Sequence, residues 1–258
     1  LSGEVDWVLL RGLYRQSAHW HSFPTRLKEA FPGSRVLVID LPGCGKNREV
    51  PSPTTIEGIV EFLRAEDKDP KRPRAILSIS MGSMVALDWC ARYPGEFDQL
   101  VVMNTSARDL GAFWQRFRPR AWPLIARALR PGGSVAARER AILELTSNLP
   151  ESARRKAEAA NVAIEAENPF PTMTGLLQLR AASRFKAPDR VAVPTCVLRS
   201  LNDRLVDSRC SGELAKRLGA ELHTHSEAGH DLPLDDPEWV IQKLRGLVPF
   251  SKAGEPRK

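Results

Sequence analysis

Arg74-Ala-Ile-Leu-Ser-Ile-Ser-Met-Gly-Ser-Met-Val-Ala-Leu-Asp-Trp-Cys-Ala-Arg-Tyr-Pro-Gly95 is the stretch on which the reading of the whole chain turns. Ala75 to Ile79 is short and apolar, as a strand buried on both faces is, and Met81 to Tyr93 is apolar almost all round, which reads as a buried helix. The helix carries two charges, Asp88 and Arg92, four apart with the acid first. That order favours a helical ion pair, and Pro94-Gly95 ends the helix. Ser80 stands at the corner. A turn so sharp strains its central residue and needs small side chains two positions to either side, which Ser78 and Gly82 supply. A plainer reading has Ser78, Ser80 and Ser83 capping or lining an ordinary strand-to-helix turn.

Working outward, Val5 to Leu10 reads as a strand ending in Arg11-Gly12-Leu13-Tyr14. A helix follows, with Ser22 placed to cap it and Pro24 in its first turn. Arg35 to Leu41 is a second buried strand, and Asp40 is read as holding the Pro42-Gly-Cys-Gly-Lys46 turn. Thr54-Thr-Ile-Glu57 has the form of a capping box, and Ile56, Ile59, Val60 and Leu63 repeat at helical spacing. Gln99 to Thr105 is the strand after the Ser80 helix.

From Ala107 to Ala187 strand-like runs vanish, and prolines divide the segment into helical pieces. Pro194 to Leu201 restores the strand pattern, with Asn202-Asp203 at its C-terminal end. A helix then runs from a cap at Asp207 or Ser208 to Gly219, and Glu221 to His225 is a short strand leading to Ala228-Gly-His230-Asp231. Asp236-Pro237 starts the last helix, whose apolar stripe is Val240, Leu244, Leu247 and Val248. Alternation of this kind predicts an α/β fold with a mostly parallel central sheet and helices on both faces. The expected division is a core of residues 1–106 and 188–250, a helical insertion over 107–187, and a disordered basic tail at 251–258.

At 258 residues the chain can bury a large core. No stretch has the apolar length of a membrane span and the first residues lack a leader-like pattern, so a cytoplasmic location is the expectation. Cys44, Cys90, Cys196 and Cys210 are scattered without a C-x-x-C pair, and His19 and His21 lack acidic or Cys/His partners at ligand spacing. Neither a metal site nor a cofactor is expected. The net charge of +7 raises nucleic-acid binding as a bland alternative, but no nucleic-acid motif accompanies it.

Ser78-Ile-Ser80-Met-Gly82 resembles the nucleophile elbow of the alpha/beta-hydrolases, with Ser78 in place of the usual first glycine. The resemblance extends along the chain. Arg11-Gly12 stands where that family has a His-Gly turn, Asp40-Leu-Pro-Gly-Cys-Gly matches its turn after the second strand without the usual following serine, and Ala228-Gly-His230 is similar to its catalytic histidine loop. What the resemblance implies is a Ser80, Asp203, His230 triad in the family's chain order. Backbone N–H groups of Met81 and Leu13 would form the oxyanion hole, with Tyr14 as the alternative to Leu13. Asp207 is a rival for the acid but stands at a helix start, where capping is the default. His223 and His225 share one strand face and read as surface imidazoles.

The insertion resembles the family's helical cap. Trp114, Phe117, Trp122, Phe170, Met173, Leu176 and Leu177 are candidates to line an acyl pocket, or to hold the cap together. Between Arg108 and Ala187 the chain has 14 Lys and Arg against 7 Asp and Glu, so the net charge lies in this segment. Arg138, Arg140, Arg154 and Arg155 are its candidates for docking an acidic acyl-carrier protein, as the pimeloyl-carrier methyl esterases of the superfamily do, against the plain reading of a solvated face. The implied activity is carboxylic-ester hydrolysis through an acyl-Ser80 intermediate, with thioesters, carbon–carbon bonds and amides open to the same triad. A non-catalytic small-molecule-binding protein on this scaffold is the alternative of another class.

Overall fold

The structure, a computed structural model, describes residues 5–67, 73–128 and 132–247. Six strands, β1 (Asp6–Leu10), β2 (Arg35–Ile39), β3 (Arg74–Ile79), β4 (Gln99–Met103), β5 (Thr195–Ser200) and β6 (Glu221–His225), pair in the order β2-β1-β3-β4-β5-β6. Every pairing is parallel, so the mostly parallel sheet expected from the sequence is parallel throughout. Because β1 lies between β2 and β3, the chain first runs outward and then crosses back. The segments after β1 and β3 therefore leave the sheet in opposite directions and open a crevice at the strands' C-terminal ends. Gly12 and Ser80 lie in those two segments.

Side-chain alternation divides the core into two layers. Trp7, Leu9, Leu77 and Val101 pack on one face with α1 (Phe23–Ala30) and α11 (Pro237–Gly246). Val8, Leu10, Ile76 and Val102 pack on the other with α2 (Ile56–Glu66), α3 (Met81–Arg92) and α9 (Ser208–Leu218). Val8, Leu9 and Leu10 are fully buried. Burial of this kind stabilises by about 1.5–3 kcal/mol per large aliphatic side chain.

Local signals place most helix ends. Asp207 accepts from the Arg209 N–H at the start of α9, Gly219 closes it in a left-handed conformation (φ +60°), and Asp236 caps α11 through the Trp239 N–H at 2.9 Å. Two expectations need correction. The cap of α2 is Thr55 and not Thr54; its Oγ accepts the Gly58 N–H at 3.1 Å, so Glu57 falls one place short of the capping-box position opposite Thr55. Ser22 precedes α1 but its hydroxyl makes no capping bond, and Pro24 alone marks that start. Asp40 closes its turn, with one oxygen accepting the Ser17 N–H at 2.5 Å and the other the Lys46 N–H at 3.0 Å.

Between β4 and β5 the described residues form helices only: α4 (Phe113–Arg116), α5 (Trp122–Ala128), α6 (Val135–Thr146), α7 (Glu151–Glu167) and α8 (Thr172–Arg184). The last two elements are α10 (Leu232–Asp235) and α11. Val248 and the tail at 251–258 lie outside the described residues.

At the β3–α3 corner, a Cβ on Gly82 would sit 2.5 Å from the Arg11 carbonyl oxygen and 2.6 Å from that of Leu10. Backbone cannot rotate out of the way as a side chain can. Gly82→Ala is therefore expected to cost about 1–3 kcal/mol, read as a fall in Tm of several degrees. Gly246→Ala, at the end of α11 where no neighbouring atom lies within 4 Å of the new methyl, is the control and should not lower Tm.

Candidate active site

Ser80 takes φ +57° and ψ −122° between β3 and α3, a conformation rarely adopted by residues with a side chain. Its two neighbouring serines are committed elsewhere. The Ser78 hydroxyl donates to the Val101 carbonyl at 3.0 Å and the Ser83 hydroxyl accepts the Met103 N–H at 3.2 Å, both tying the corner to β4. These two fit the plain turn-lining role. The Ser80 hydroxyl has no hydrogen-bond partner among the described residues and faces a cavity.

The turn after β1 comes up against it. A Cβ on Gly12 would lie 2.8 Å from the Ser80 Cβ, so the backbone can approach this closely only as glycine. Of the two candidate donors beyond it, Tyr14 uses its N–H on the Gln178 Oε1 at 3.3 Å. Leu13 makes no such bond among the described residues, nor does Met81 at the first position of α3. Both line the cavity.

His230 Nδ1 and Asp203 Oδ2 are 2.7 Å apart, and both residues are buried. The other Asp203 oxygen accepts the N–H groups of Leu205 and Val206 at 2.8 and 2.9 Å, and Arg118 bonds the Asp203 carbonyl at 2.8 Å. Two backbone N–H groups thus fix one carboxylate oxygen, Arg118 fixes the backbone beneath it, and the second oxygen stays on the imidazole. Behind the histidine, the Asn104 amide donates to the His230 carbonyl at 2.8 Å. Asp207 serves α9 instead; hydrogen bonds from Arg209 hold its carboxyl down at about 2. His223 pairs with Glu221. His225 is more than a surface imidazole: its Nδ1 accepts the Ala228 N–H at 2.9 Å, which shapes the loop leading to His230.

The cavity shared by Ser80 and His230 holds about 210 Å³ and is walled mostly by aliphatic side chains, including Met84, Ile125, Ile142, Leu145 and Leu179. Of the aromatic candidates, Phe117 lines the cavity as expected and the others do not. Trp114 and Trp122 are exposed and outside the cavity wall, Phe170 is buried against the Tyr14 ring at 3.9 Å, and Leu177 is half-buried beside the lining residues Leu176 and Leu179. Which face of α8 turns inward is set by its packing on the core, and the sequence alone does not fix that.

Three of the four docking arginines are already paired: Arg138 with Glu165 at 2.6 Å, Arg140 with Glu158 at 2.8 Å, and Arg155 with Glu151 at 2.5 Å. Arg154 has no ion-pair partner among the described residues. All four cysteines are buried, and burial pushes the Cys44 and Cys196 thiols up to about 12 and Cys210 to about 11. None of these three is a thiolate at neutral pH. Two lining residues that sequence reasoning left unassigned, Arg11 and Asp231, form a buried ion pair at 2.6 Å. They are 220 positions apart, and no local signal links them.

The fold has counterparts in known structures. A hydrolase acting on 2-hydroxy-6-oxo-6-phenylhexa-2,4-dienoate, from a Rhodococcus species, superposes with a TM-score of 0.75 at 21% identity over 94% of this chain and 90% of that one. An esterase from Exiguobacterium antarcticum gives 0.74 at 16% identity, over 95% and 92%. A thermophilic esterase from Thermogutta terrifontis gives 0.68 at 20% identity, over 95% and 89%. At such identities the likeness establishes shared architecture. No curated protein sequence matches the chain. Residues 7–243 match the alpha/beta hydrolase family, and with the all-parallel sheet and the strained corner at Ser80 this chain belongs to that family.

Proposed function

We propose that the protein is a serine hydrolase of carboxylic esters working through an acyl-Ser80 intermediate. The observation that carries the reading is the 2.7 Å contact between His230 Nδ1 and Asp203, with His230 opening onto the same cavity as the unpaired Ser80 hydroxyl. A serine hydroxyl is a weak nucleophile until a neutral imidazole takes its proton. With Nδ1–H held by Asp203, the free Nε2 of His230 is the base. Contacts between nucleophile and base are commonly loose without substrate and close when it binds.

The steps follow from that geometry. Ser80 Oγ bonds to the ester carbonyl carbon as its proton passes to His230 Nε2, and the carbonyl π electrons move onto oxygen. The N–H groups of Met81 and Leu13 hold that oxyanion, in a pocket whose aliphatic walls strengthen the interaction. Collapse breaks the bond to the alkoxy oxygen, which leaves as alcohol with the proton from His230. Water then gives a proton to His230, its oxygen adds to the acyl carbon, and the second collapse returns the proton to Ser80 and frees the acid. Asp203 stabilises the imidazolium in both halves. In this reading residues 107–187 are the cap over the cavity, and the small, aliphatic cavity favours a short acyl chain.

A carrier-bound substrate has less support, because Arg138, Arg140 and Arg155 are in ion pairs, and of that set only Arg154 lacks an ion-pair partner among the described residues. If a carrier docks there, Arg154→Glu should raise KM for a carrier-bound ester several-fold and leave a small neutral ester unchanged; equal kinetics on both substrates would dismiss the docking role.

Turnover of a short-chain ester panel tests the main reading. Ser80→Ala should lower kcat by at least about 1000-fold, since members of a triad fail as a unit, with Tm close to wild type. Activity within tenfold of wild type would remove Ser80 from the chemistry. Asp203→Asn should lower kcat far more than Asp207→Asn, because only Asp203 holds the His230 tautomer. The reverse ranking would transfer the acid to Asp207.

A further inference from the structure

The turn that carries the oxyanion donor and the loop that carries His230 are joined by one buried contact. The Arg11 guanidinium donates to both oxygens of Asp231, at 3.0 and 2.6 Å, from residues 4% and 7% exposed. Arg11 immediately precedes Gly12, and Asp231 immediately follows His230. We infer that Arg11 and Asp231 are a matched pair of positioning residues, which fix the Leu13 N–H against His230 and keep the imidazole's surroundings electrically balanced. The inference rests on the Ser80 reaction proposed above.

Stability alone is a poor reason for such a pair. Removing two charges from water is costly, and apolar residues of like volume often serve as well. What a bidentate pair supplies is direction, because the flat guanidinium fork fits a carboxylate in one orientation. Everything around it is arranged to hold that orientation. The Arg11 backbone is clamped beneath α3 by the close approach of Gly82, and its guanidinium lies 4.9 Å from the Trp20 ring centroid. Arg11 Nε has no hydrogen-bond partner, so the polar contacts of its side chain are spent on Asp231. On the other side, the Asp231 N–H bonds the Thr146 carbonyl at 2.8 Å. A shift of the pair would move the oxyanion donor relative to the base.

The pair's charge matters as much as its shape. Burial alone would raise the Asp231 carboxyl, but the Arg11 guanidinium outweighs it and holds the group below the usual carboxylate range. Asp231 is therefore a carboxylate at neutral pH. Among the described residues, the charged and titratable groups around His230 and the pair are Asp203 on the imidazole, with Arg118 on its carbonyl and Arg204 near its charge; Asp231 with Arg11; His19 and His21, both held below the ordinary imidazole range chiefly by burial, with Arg11 and Arg15 adding to it; Arg15 itself, paired with Glu139 at 3.0 Å; and Asp235, which accepts the Gly229 N–H. Losing Arg11 leaves a bare anion beside the base, and losing Asp231 leaves a bare cation. These two changes act on the imidazolium in opposite senses.

The experiment is the pH dependence of kcat and KM for a small neutral ester in wild type, Arg11→Met, Arg11→Lys, Asp231→Asn and the Arg11→Met/Asp231→Asn double variant, with Ser80→Ala as control. Arg11→Met should lose about 10- to 100-fold in kcat, less than deleting an oxyanion donor outright, with KM within about threefold. Its acid limb in kcat/KM should move to higher pH, because the unpaired carboxylate favours imidazolium. Asp231→Asn should move the limb to lower pH. The double variant should return the limb to the wild-type position while kcat stays low, since neutrality is restored and the strut is not. Arg11→Lys keeps the charge but not the fork, so its kcat should fall with the limb unmoved; it serves if Arg11→Met does not fold. The inference is overturned if Arg11→Lys or Arg11→Met matches wild type in kcat, or if the two single variants shift the limb in the same direction or not at all. Wild-type turnover that persists in Ser80→Ala would instead defeat the hydrolase reading itself.

Discussion

The structure depends on one strained backbone position. Ser80 is held at φ +57°, at a cost on the order of 1–3 kcal/mol, by a corner whose surroundings leave it no alternative. The preceding strand, β3, is buried along its whole length, and the following helix is buried nearly all round. Gly82 allows α3 to press onto the end of β1, and Gly12 allows the turn after β1 to come back against Ser80. The same packing that enforces the strain thereby brings two backbone N–H groups and one hydroxyl to a single wall of the cavity.

The sheet order extends this constraint to the rest of the site. Since β1 and β3 are neighbours whose following segments diverge, the crevice between them is the place where loops from distant parts of the chain can meet. Asp203 follows β5 and His230 follows β6, and both reach this place over the edge of β4, with Asn104 tying the end of β4 to the His230 loop. Polar contacts then close the roof: Gln178 on Tyr14, Glu139 on Arg15 and the Asn168 carbonyl on Gln16 all join the helical segment to the turn after β1. Beneath these contacts the cavity keeps a largely apolar wall, with Met84, Ile125, Ile142, Leu145 and Leu179 among its lining residues.

Much of this was legible in the sequence because buried parallel strands are short apolar runs and because the corner demands small residues two places from Ser80. Chain order, through the family resemblance, singled out Asp203 and His230. Three things were not legible. A one-residue choice between Thr54 and Thr55 depends on where the first helical turn closes, and both threonines can cap. The inward faces of α4, α5 and α8 depend on tertiary packing, so Trp114 on α4 and Trp122 on α5 look like pocket residues in a sequence and lie at the surface in the fold. The partners of Arg11, Arg15 and Arg138 come from remote segments, and of the basic run that suggests a docking face, Arg138, Arg140 and Arg155 each pair with a glutamate of the same helical segment.

In the proposed mechanism the strained corner makes Ser80 the nucleophile, with His230 as its base. Intact mass and peptide mapping after treatment with a fluorophosphonate ester test it directly. The account predicts one adduct per chain, on the Ser80 peptide, and strongly slowed labelling in His230→Ala. An adduct on another serine, or no adduct on the folded wild-type protein, would contradict it.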